Sequence, residues 1–249
     1  MKPIRIRGKP AKYPLICAPL VGASRDALLA EAAAALAAKA DIVEWRVDHF
    51  RDIASRQGVI ETGRAVRRAL PGVPLLFTRR SVAEGGQPVA IGDAQVVELY
   101  EAVCAEGIAD LVDFEMSASR AGMAAVRDAS RRHGVGLVCS FHDFERTPSI
   151  AELSSQFRRA EQLGGDVAKV SVMARGPEDA LTLLAATNQA SREVSPALIG
   201  VSMGPHGALS RIAGFAFGSA LTFGVAAAGS APGQMPIGEL RAAIELLRR

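Results

Sequence analysis

Aromatic residues and cysteines are scarce in this 249-residue chain. Phe, Trp and Tyr together make up 5% of the sequence, and the three cysteines, Cys17, Cys104 and Cys139, stand far apart. So few aromatic side chains offer no stacking platform for single-stranded nucleic acid. An odd number of cysteines without a CxxC pair argues against a disulfide framework and gives a structural zinc site little support. We therefore expect the cysteines to be small core residues, and we expect no metal site and no nucleic-acid partner.

Long apolar runs and a strong charge of one sign are also missing. No uncharged apolar stretch reaches the ~18 residues of a membrane span, so no membrane partner is expected. The N-terminal segment MKPIRIRGKP lacks the apolar region of a signal peptide, which favours a reducing cytoplasm. The 29 basic and 26 acidic residues leave a net charge of only +3, and 49% of the chain is hydrophobic. These values are typical of a globular protein and exclude a disordered chain.

The sequence does contain a regular alternation of β-branched apolar runs and alanine-rich stretches. Eight runs begin near residues 15, 41, 74, 109, 135, 166, 197 and 220. Helical patterns between them include 24–40, 93–106, 148–163, 177–192 and 237–249. Ser24 suits the N-cap of the first helix, and Pro148 stands near the first turn of the third.

This alternation predicts an α/β protein. Eight strand–helix units in a chain close to ~250 residues are typical of a (β/α)₈ (TIM) barrel. No composition shift marks a linker, so we expect a single domain over residues 1–249, with the first dozen residues forming a short strand pair that closes the bottom. A doubly wound open sheet is the alternative, but no G-x-G-x-x-G follows the first strand.

Catalytic groups in a barrel come from the carboxyl ends of the strands, so charges at those positions are informative. In the second strand, Glu44, Arg46 and Asp48 alternate with apolar residues, which places all three on one face. If helices cover the apolar face, the charges point into the barrel mouth. A solvated edge strand is the alternative interpretation.

Lys169 lies inside the apolar sixth strand, VAKVSV. Burial disfavours the charged ammonium, and a neutral amine can form a Schiff base with a ketone. The alternative is a lysine that reaches solvent from the strand end. Asp113 and Glu115 in the fourth strand are expected to orient Lys169 or Arg46.

Further polar residues follow other strands. Arg79, Arg80 and Glu84 end the third strand and its loop, and His142 ends the fifth. Each can equally be an ordinary surface or structural residue.

Two later segments are candidates for binding a ligand or closing over it. Arg211 follows a glycine-rich turn, where its guanidinium can grip a carboxylate and a helix N-terminus nearby would add positive potential. The small-residue loop 226–236, with Ser230 and Gln234, is either a plain connection or a lid that closes over a ligand.

Taken together, the polar blocks resemble those of type I 3-dehydroquinate dehydratases, and the resemblance spans nearly the whole chain. The blocks are EWRVD (44–48), RSVAEGG (80–86), SFHDFERTP (140–148), AKVSVMA (168–174), SMGPHGALSR (202–211), FGSALTFG (217–224) and SAPGQ (230–234). The family resemblance implies a (β/α)₈ barrel with no metal or organic cofactor. It also implies a homodimer that converts 3-dehydroquinate to 3-dehydroshikimate in the shikimate pathway.

The resemblance implies a role for each matching residue. Lys169 would be the Schiff-base lysine and His142 the general acid and base, assisted by Glu84. The expected substrate-binding residues are Glu44, Arg46 and Arg80 for ring hydroxyls, Arg211 for the carboxylate, Ser230 and Gln234 on the closing loop, and Met203 and Phe223 as apolar walls. Of the two adjacent arginines, Arg80 is chosen over Arg79 for its spacing to Glu84.

Two rival functions remain open from the sequence. A class I aldolase would use the same barrel and the same kind of lysine to cleave a carbon–carbon bond in a keto acid or sugar. A barrel that merely binds a small hydroxy acid, as a sensor or scaffold, would have no need of Lys169 and His142.

Overall fold

The computed structural model describes residues 2–11 and 14–248, in which strands and helices alternate. The strands are β1 (Arg5–Ile6), β2 (Lys9–Pro10), β3 (Leu15–Leu20), β4 (Ile42–Arg46), β5 (Leu75–Thr78), β6 (Leu111–Glu115), β7 (Gly136–Asp143), β8 (Val167–Met173), β9 (Ala197–Met203), β10 (Leu221–Val225) and β11 (Met235–Pro236). The helices are α1 (Arg25–Ala37), α2 (Arg56–Ala69), α3 (Asp93–Ala105), α4 (Arg120–Arg132), α5 (Ile150–Gln162), α6 (Pro177–Glu193), α7 (Ala208–Ala213) and α8 (Ile237–Leu247).

Strands β3 to β10 form a closed parallel barrel. Neighbouring strands pair in chain order from β3 to β9, and β10 pairs with β3 on the other side. The last seam is closed just before β10, where Ser219 bridges Leu198 of β9 and the Ala220 amide donates to the Leu198 carbonyl at 2.7 Å. Strand β11 adds to the outer end of β10. The predicted (β/α)₈ barrel is confirmed.

Apolar side chains occupy both sides of the barrel wall, as expected for parallel strands. Those between the strands and the helices form a large core that contains Trp45, Phe77 and Tyr100. A second cluster fills the lower end of the barrel, where Ile4 packs with Leu15 and other residues near the start of each strand. Because Ile4 directly precedes the antiparallel β1–β2 pair, this pair closes the bottom as predicted.

Serine residues begin several helices. Ser24 caps α1 by accepting a hydrogen bond from the Ala27 amide, as predicted. Helix α5 begins later than expected, because Ser149 and Glu152 form a reciprocal capping box that fixes its start at Ile150. Pro148 therefore precedes the helix.

Strand β4 is shorter than the sequence suggests. It ends at Arg46, and Val47–His49 form a 3₁₀ turn, so Asp48 does not continue the strand face of Glu44 and Arg46. The expectation of three charges on one face is wrong for Asp48, because a change of backbone conformation breaks the two-residue period.

All three cysteines are free and buried, as predicted for core residues. None of the helices within 2–11 and 14–248 is long and apolar enough to cross a membrane.

Candidate active site

A cavity opens at the carboxyl ends of the barrel strands. The eleven residues predicted for the site all line it, namely Glu44, Arg46, Arg80, Glu84, His142, Lys169, Met203, Arg211, Phe223, Ser230 and Gln234. They come from separate strands and loops that are distant in sequence. A barrel brings them together because its parallel strands all end at the same rim.

Lys169 points into this cavity and is only 4% exposed, which excludes the alternative of a lysine that reaches solvent. Its Nζ donates to Oδ2 of Asp113 at 2.9 Å and lies 3.7 Å from Oε1 of Glu44. The Phe223 ring covers Nζ, with its centroid 4.8 Å away. Two carboxylates and an aromatic face therefore fix the position of the amine.

Asp113 is the centre of the polar network beneath the cavity. Its Oδ1 accepts from Arg80 at 2.7 Å and from Ser140 at 2.6 Å, while Oδ2 accepts from Lys169. Burial alone would raise the pKa of Asp113, but Arg80, Lys169 and His142 outweigh it and hold that pKa well below its ordinary value. Asp113 thus orients Lys169, as expected, and its second cationic partner is Arg80, not Arg46.

Arg80, and not Arg79, faces the cavity. Arg80 is 3% exposed and, besides its bond to Asp113, donates to Glu115 Oε1 at 3.1 Å. Four nearby carboxylates, those of Asp113, Glu115, Glu84 and Glu44, raise the pKa of Arg80 above its ordinary value despite burial, so it is a permanent cation. Glu115 therefore holds Arg80, which corrects its expected role of orienting Lys169 or Arg46.

His142 and Glu84 form a pair on one wall of the cavity. Nδ1 of His142 lies 2.8 Å from Oε2 of Glu84, and Ser117 donates to the other carboxyl oxygen at 2.7 Å. Burial, together with Arg80 and Lys169, lowers the pKa of His142 well below its ordinary value. Burial and the Glu115 carboxylate raise the pKa of Glu84 to about 7. A neutral imidazole is therefore available to accept a proton near neutral pH.

Glycines shape the loop that carries Glu84. Gly85 has a φ of +83°, a conformation that favours glycine, and a Cβ on Gly86 would lie 2.0 Å from the Arg80 carbonyl oxygen. The tight turn predicted for these two glycines is present, and it brings Glu84 back toward His142.

Asp48 braces Arg46 from outside the cavity lining. It accepts two parallel hydrogen bonds from Arg46, at 2.9 and 2.8 Å, and also accepts from the Arg80 amide at 3.2 Å. A bidentate pair of this kind fixes the plane of the guanidinium. Arg46 is thus oriented toward the cavity by the 3₁₀ turn that follows its strand.

Arg211 has no acidic partner among the residues that the structure describes. It is 2% exposed, and Nη2 donates to the carbonyl of Pro232 at 2.9 Å. Burial lowers the pKa of Arg211 to about 10. Arg211 is the fourth residue of the six-residue helix α7, so the helix N-terminus expected nearby is that of its own helix. A buried cation without a counter-ion is suited to an anionic ligand group.

The loop after β10 folds over the cavity. The Gln234 side chain accepts from the Ser230 amide at 2.8 Å and donates to the Ser230 hydroxyl at 3.2 Å. The loop also contacts the opposite rim, where the Gly204 amide donates to the Pro232 carbonyl at 3.3 Å. The loop is therefore packed across the cavity mouth in this structure.

Several residues of the site and its supports escaped the sequence analysis. Four further residues line the cavity, namely Phe144, Ser171, Val201 and Ala231. Ser140 lies two residues before His142 on β7, and Ser171 lies two residues after Lys169 on β8. Residues two apart on a strand share a face, so this spacing could have identified both serines from the sequence. Ser117, which supports Glu84 from a loop, carries no such signal.

No group of three or more His, Cys, Asp or Glu residues suited to a metal ion occurs within the described part of the chain. The absence of a cofactor stays a prediction, which activity after chelator treatment would test.

Comparisons with known proteins agree with this arrangement. The family model for type I 3-dehydroquinase matches residues 16–249. A 3-dehydroquinate dehydratase of Albidiferax ferrireducens is 49% identical over 251 residues, which cover 100% of this chain and 95% of that protein.

Two solved structures are similar over nearly their whole length. A 3-dehydroquinate dehydratase from Geobacillus kaustophilus has a TM-score of 0.96 at 42% identity, covering 99% of this chain and 96% of that one. A type I 3-dehydroquinate dehydratase from Clostridium difficile, solved with covalently modified comenic acid, has a TM-score of 0.92 at 35% identity, covering 98% and 96%. With a family model that extends from the first barrel strand to the last helix, and relatives of this identity, the chain belongs to the type I 3-dehydroquinase family.

Proposed function

We propose that this chain is a hydro-lyase that removes water from 3-dehydroquinate to give 3-dehydroshikimate, a step of the shikimate pathway. The observation that carries the proposal is the common cavity of Lys169 and His142. Lys169 pairs with Ser140 across the β7–β8 ladder, and His142 pairs with Ser171 two residues further along. The two side chains therefore stand on the same face of adjacent strands, one above the other.

The reaction begins at Lys169. The Nζ amine, after losing a proton, adds to the substrate ketone, and water leaves to form a protonated imine. This imine withdraws electrons from the neighbouring carbon and makes its proton easier to remove. The pairing of Nζ with Asp113 at 2.9 Å supports this role, since the same carboxylate can stay beside the positive imine nitrogen.

His142 then moves the protons. Its imidazole takes the proton from the carbon beside the imine, and the hydroxyl group one carbon further leaves after receiving a proton from the same imidazole. Hydrolysis of the imine releases the product and restores Lys169, so the net change is the loss of one water. General acid–base catalysis of this kind contributes ~10²–10⁴-fold. Glu84, 2.8 Å from Nδ1, orients the ring for both transfers.

The remaining cavity residues hold the substrate. Arg211, a buried cation without an acidic partner among the described residues, binds the substrate carboxylate. Glu44, Arg46 and Arg80 bind ring hydroxyls, and Met203 and Phe223 wall the ring. Ser230 and Gln234 close over the bound substrate and exclude water.

Borohydride trapping tests the proposal. The protein is mixed with 3-dehydroquinate and sodium borohydride, and intact-mass and peptide mass spectra locate any reduced adduct. We expect an adduct on Lys169 and growth of conjugated-enone absorbance when borohydride is omitted. The matched variant Lys169→Met should fold, form no adduct and give no turnover.

Other outcomes identify the rivals. An adduct with cleavage of a keto acid or sugar, and no enone, would favour an aldolase. Binding of 3-dehydroquinate without either adduct or turnover would favour a non-catalytic barrel.

We further propose that the whole chain, residues 1–249, folds as one domain and acts as a homodimer in the cytoplasm. The three free, buried thiols support a reducing compartment. Exposed Leu181, Leu209 and Leu246 are available for a subunit contact. Light scattering after size exclusion should give twice the chain's mass of 26.1 kDa, and denaturant should unfold the protein in one transition.

A further inference from the structure

A second cavity lies outside the active site, between the first turns of α3 and α4. Its volume is about 620 Å³, within the ~300–1,000 Å³ of small-molecule pockets. The walls are mostly apolar, and the apolar side chains are Ala94, Val96 and Val97 of α3, Ala121 and Ala125 of α4, and Ala83, Phe114 and Ala118. We call this cavity the α3–α4 groove.

The polar end of the α3–α4 groove holds two unused hydrogen-bonding groups. Nε of Arg79 and Oγ of Ser81 are both buried and have no partner among the described residues. Arg79 also forms no ion pair with any described residue, in contrast to its neighbour Arg80. Buried polar groups normally find partners, because leaving them unpaired is unfavourable. An arginine and a hydroxyl that line the same groove two residues apart are suited to an acceptor with two oxygens.

The acidic residues of the groove do not supply that acceptor. Glu115 is occupied, since its Oε1 accepts from the Arg80 side chain and from the Ser81 amide. Asp93 lies exposed in the first turn of α3 and makes no ion pair with Arg79. The guanidinium of Arg79 therefore keeps an uncompensated charge at one end of an apolar space.

We propose that the α3–α4 groove binds a small carboxylic acid with a compact apolar body. The carboxylate accepts two parallel hydrogen bonds from the Arg79 guanidinium, with the Ser81 hydroxyl as a further donor, and the apolar part packs on Phe114, Val97 and Ala125. An arginine fork binds a carboxylate through two parallel hydrogen bonds, which gives preference over a neutral amide of the same shape.

The groove shares a wall with the active site. Ser117 lines the groove and donates to Glu84, and Glu115 lines it and holds Arg80. A carboxylate could also enter the active site and bind Arg211, so the two locations must be separated by experiment.

The test uses phenylacetate as the probe and phenylacetamide as its neutral counterpart, each titrated into the full-length protein by calorimetry. Three variants are compared with wild type. Arg79→Gln removes the guanidinium of the groove, Ala125→Leu fills its apolar part, and Arg211→Gln removes the cation of the active site.

We expect phenylacetate to bind the wild type and the Arg211→Gln variant with similar affinity. Binding should weaken about tenfold or more in Arg79→Gln and in Ala125→Leu, because a charge-assisted pair or the apolar space is lost. Phenylacetamide should bind at least about tenfold more weakly than phenylacetate. Absence of saturable binding to the wild type, or binding lost in Arg211→Gln and kept in Arg79→Gln, would overturn the proposal. Neither result depends on whether Lys169 forms an imine.

Discussion

His142 Nδ1 and Glu84 Oε2 lie 2.8 Å apart, and the pKa values of the two groups are shifted in opposite directions. That of Glu84 is raised to about 7 and that of His142 is lowered. Above the pKa of Glu84, its carboxylate accepts the Nδ1 hydrogen and leaves Nε2 free to take a proton. Below that pKa, the protonated Glu84 donates to Nδ1, and the ring hydrogen moves to Nε2.

We therefore expect kcat/KM of the wild type to fall as pH drops below about 7. The Glu84→Gln variant should lose this acidic limb, and its kcat/KM at pH 8 should be roughly tenfold or more below wild type, since the ring is no longer oriented by a carboxylate. Steady-state rates across the pH range measure both effects, with the exposed Glu145→Gln as control. If kcat/KM of Glu84→Gln still falls below about pH 7 as in the wild type, the titrating group is not Glu84.

Arg211 is expected to act through substrate binding. Its buried guanidinium has no acidic partner among the described residues, so Arg211→Gln should raise KM roughly 10- to 100-fold with a smaller change in kcat. Arg79→Gln is the matched control, because this arginine does not line the active-site cavity and should leave KM unchanged. A fall in kcat with KM intact would argue that Arg211 does not hold the ground-state substrate.

Asp113 is expected to stabilise the fold as well as the site. Asp113→Asn removes the carboxylate that pairs with Lys169 and Arg80, and breaking a buried ion pair from one side costs ~3–5 kcal/mol of unfolding free energy. Ser140→Ala is the control, since it removes two hydrogen bonds, one to Asp113 and one from Arg80, each worth ~1 kcal/mol, and leaves both cations paired with the carboxylate. Urea unfolding measures both, and equal losses in the two variants would contradict the ion-pair explanation.

The same carboxylate gives stability a pH dependence of known sign. The pKa of Asp113 is lowered by folding, so its contribution is complete above the ordinary value of 3.8 and is lost as pH falls below it. The difference in stability between wild type and Asp113→Asn should therefore be constant near neutral pH and shrink in acid. A difference that grows on acidification would show that the sign is wrong.

Gly233 permits the loop to cross the cavity mouth. A Cβ at this position would lie 2.4 Å from the Gly204 carbonyl oxygen, and its φ is +77°. Gly233→Ala should displace the loop that carries Ser230 and Gln234 and raise KM, while borohydride still traps substrate on Lys169. Gly238→Ala, where no atom lies within 4 Å, is the control and should leave kinetics unchanged. Normal KM in Gly233→Ala would show that this loop packing is not needed for binding.

The sequence by itself determined the barrel and the identity of the residues at its mouth. Eight apolar runs alternate with helical patterns. Polar residues that interrupt these runs or follow them, among them Lys169, His142 and Arg211, are therefore candidates from the sequence alone. The motif blocks also indicate the family, because they follow one another along the chain in the order and at the spacing typical of type I 3-dehydroquinate dehydratases.

Only the tertiary structure decided which charges meet. Asp113 on β6 pairs with Arg80, which follows the neighbouring strand β5, and with Lys169 on β8, two strands away. All three side chains meet inside the closed barrel, a relationship that depends on strand register and on rotamers. Asp48 does not lie on the strand face of Glu44 and Arg46, because the backbone turns after Arg46. Arg80 lines the active site and Arg79 does not, because adjacent residues point to opposite sides of an extended chain. Side-chain partners across a barrel are distant in sequence, so no local pattern of residues specifies them.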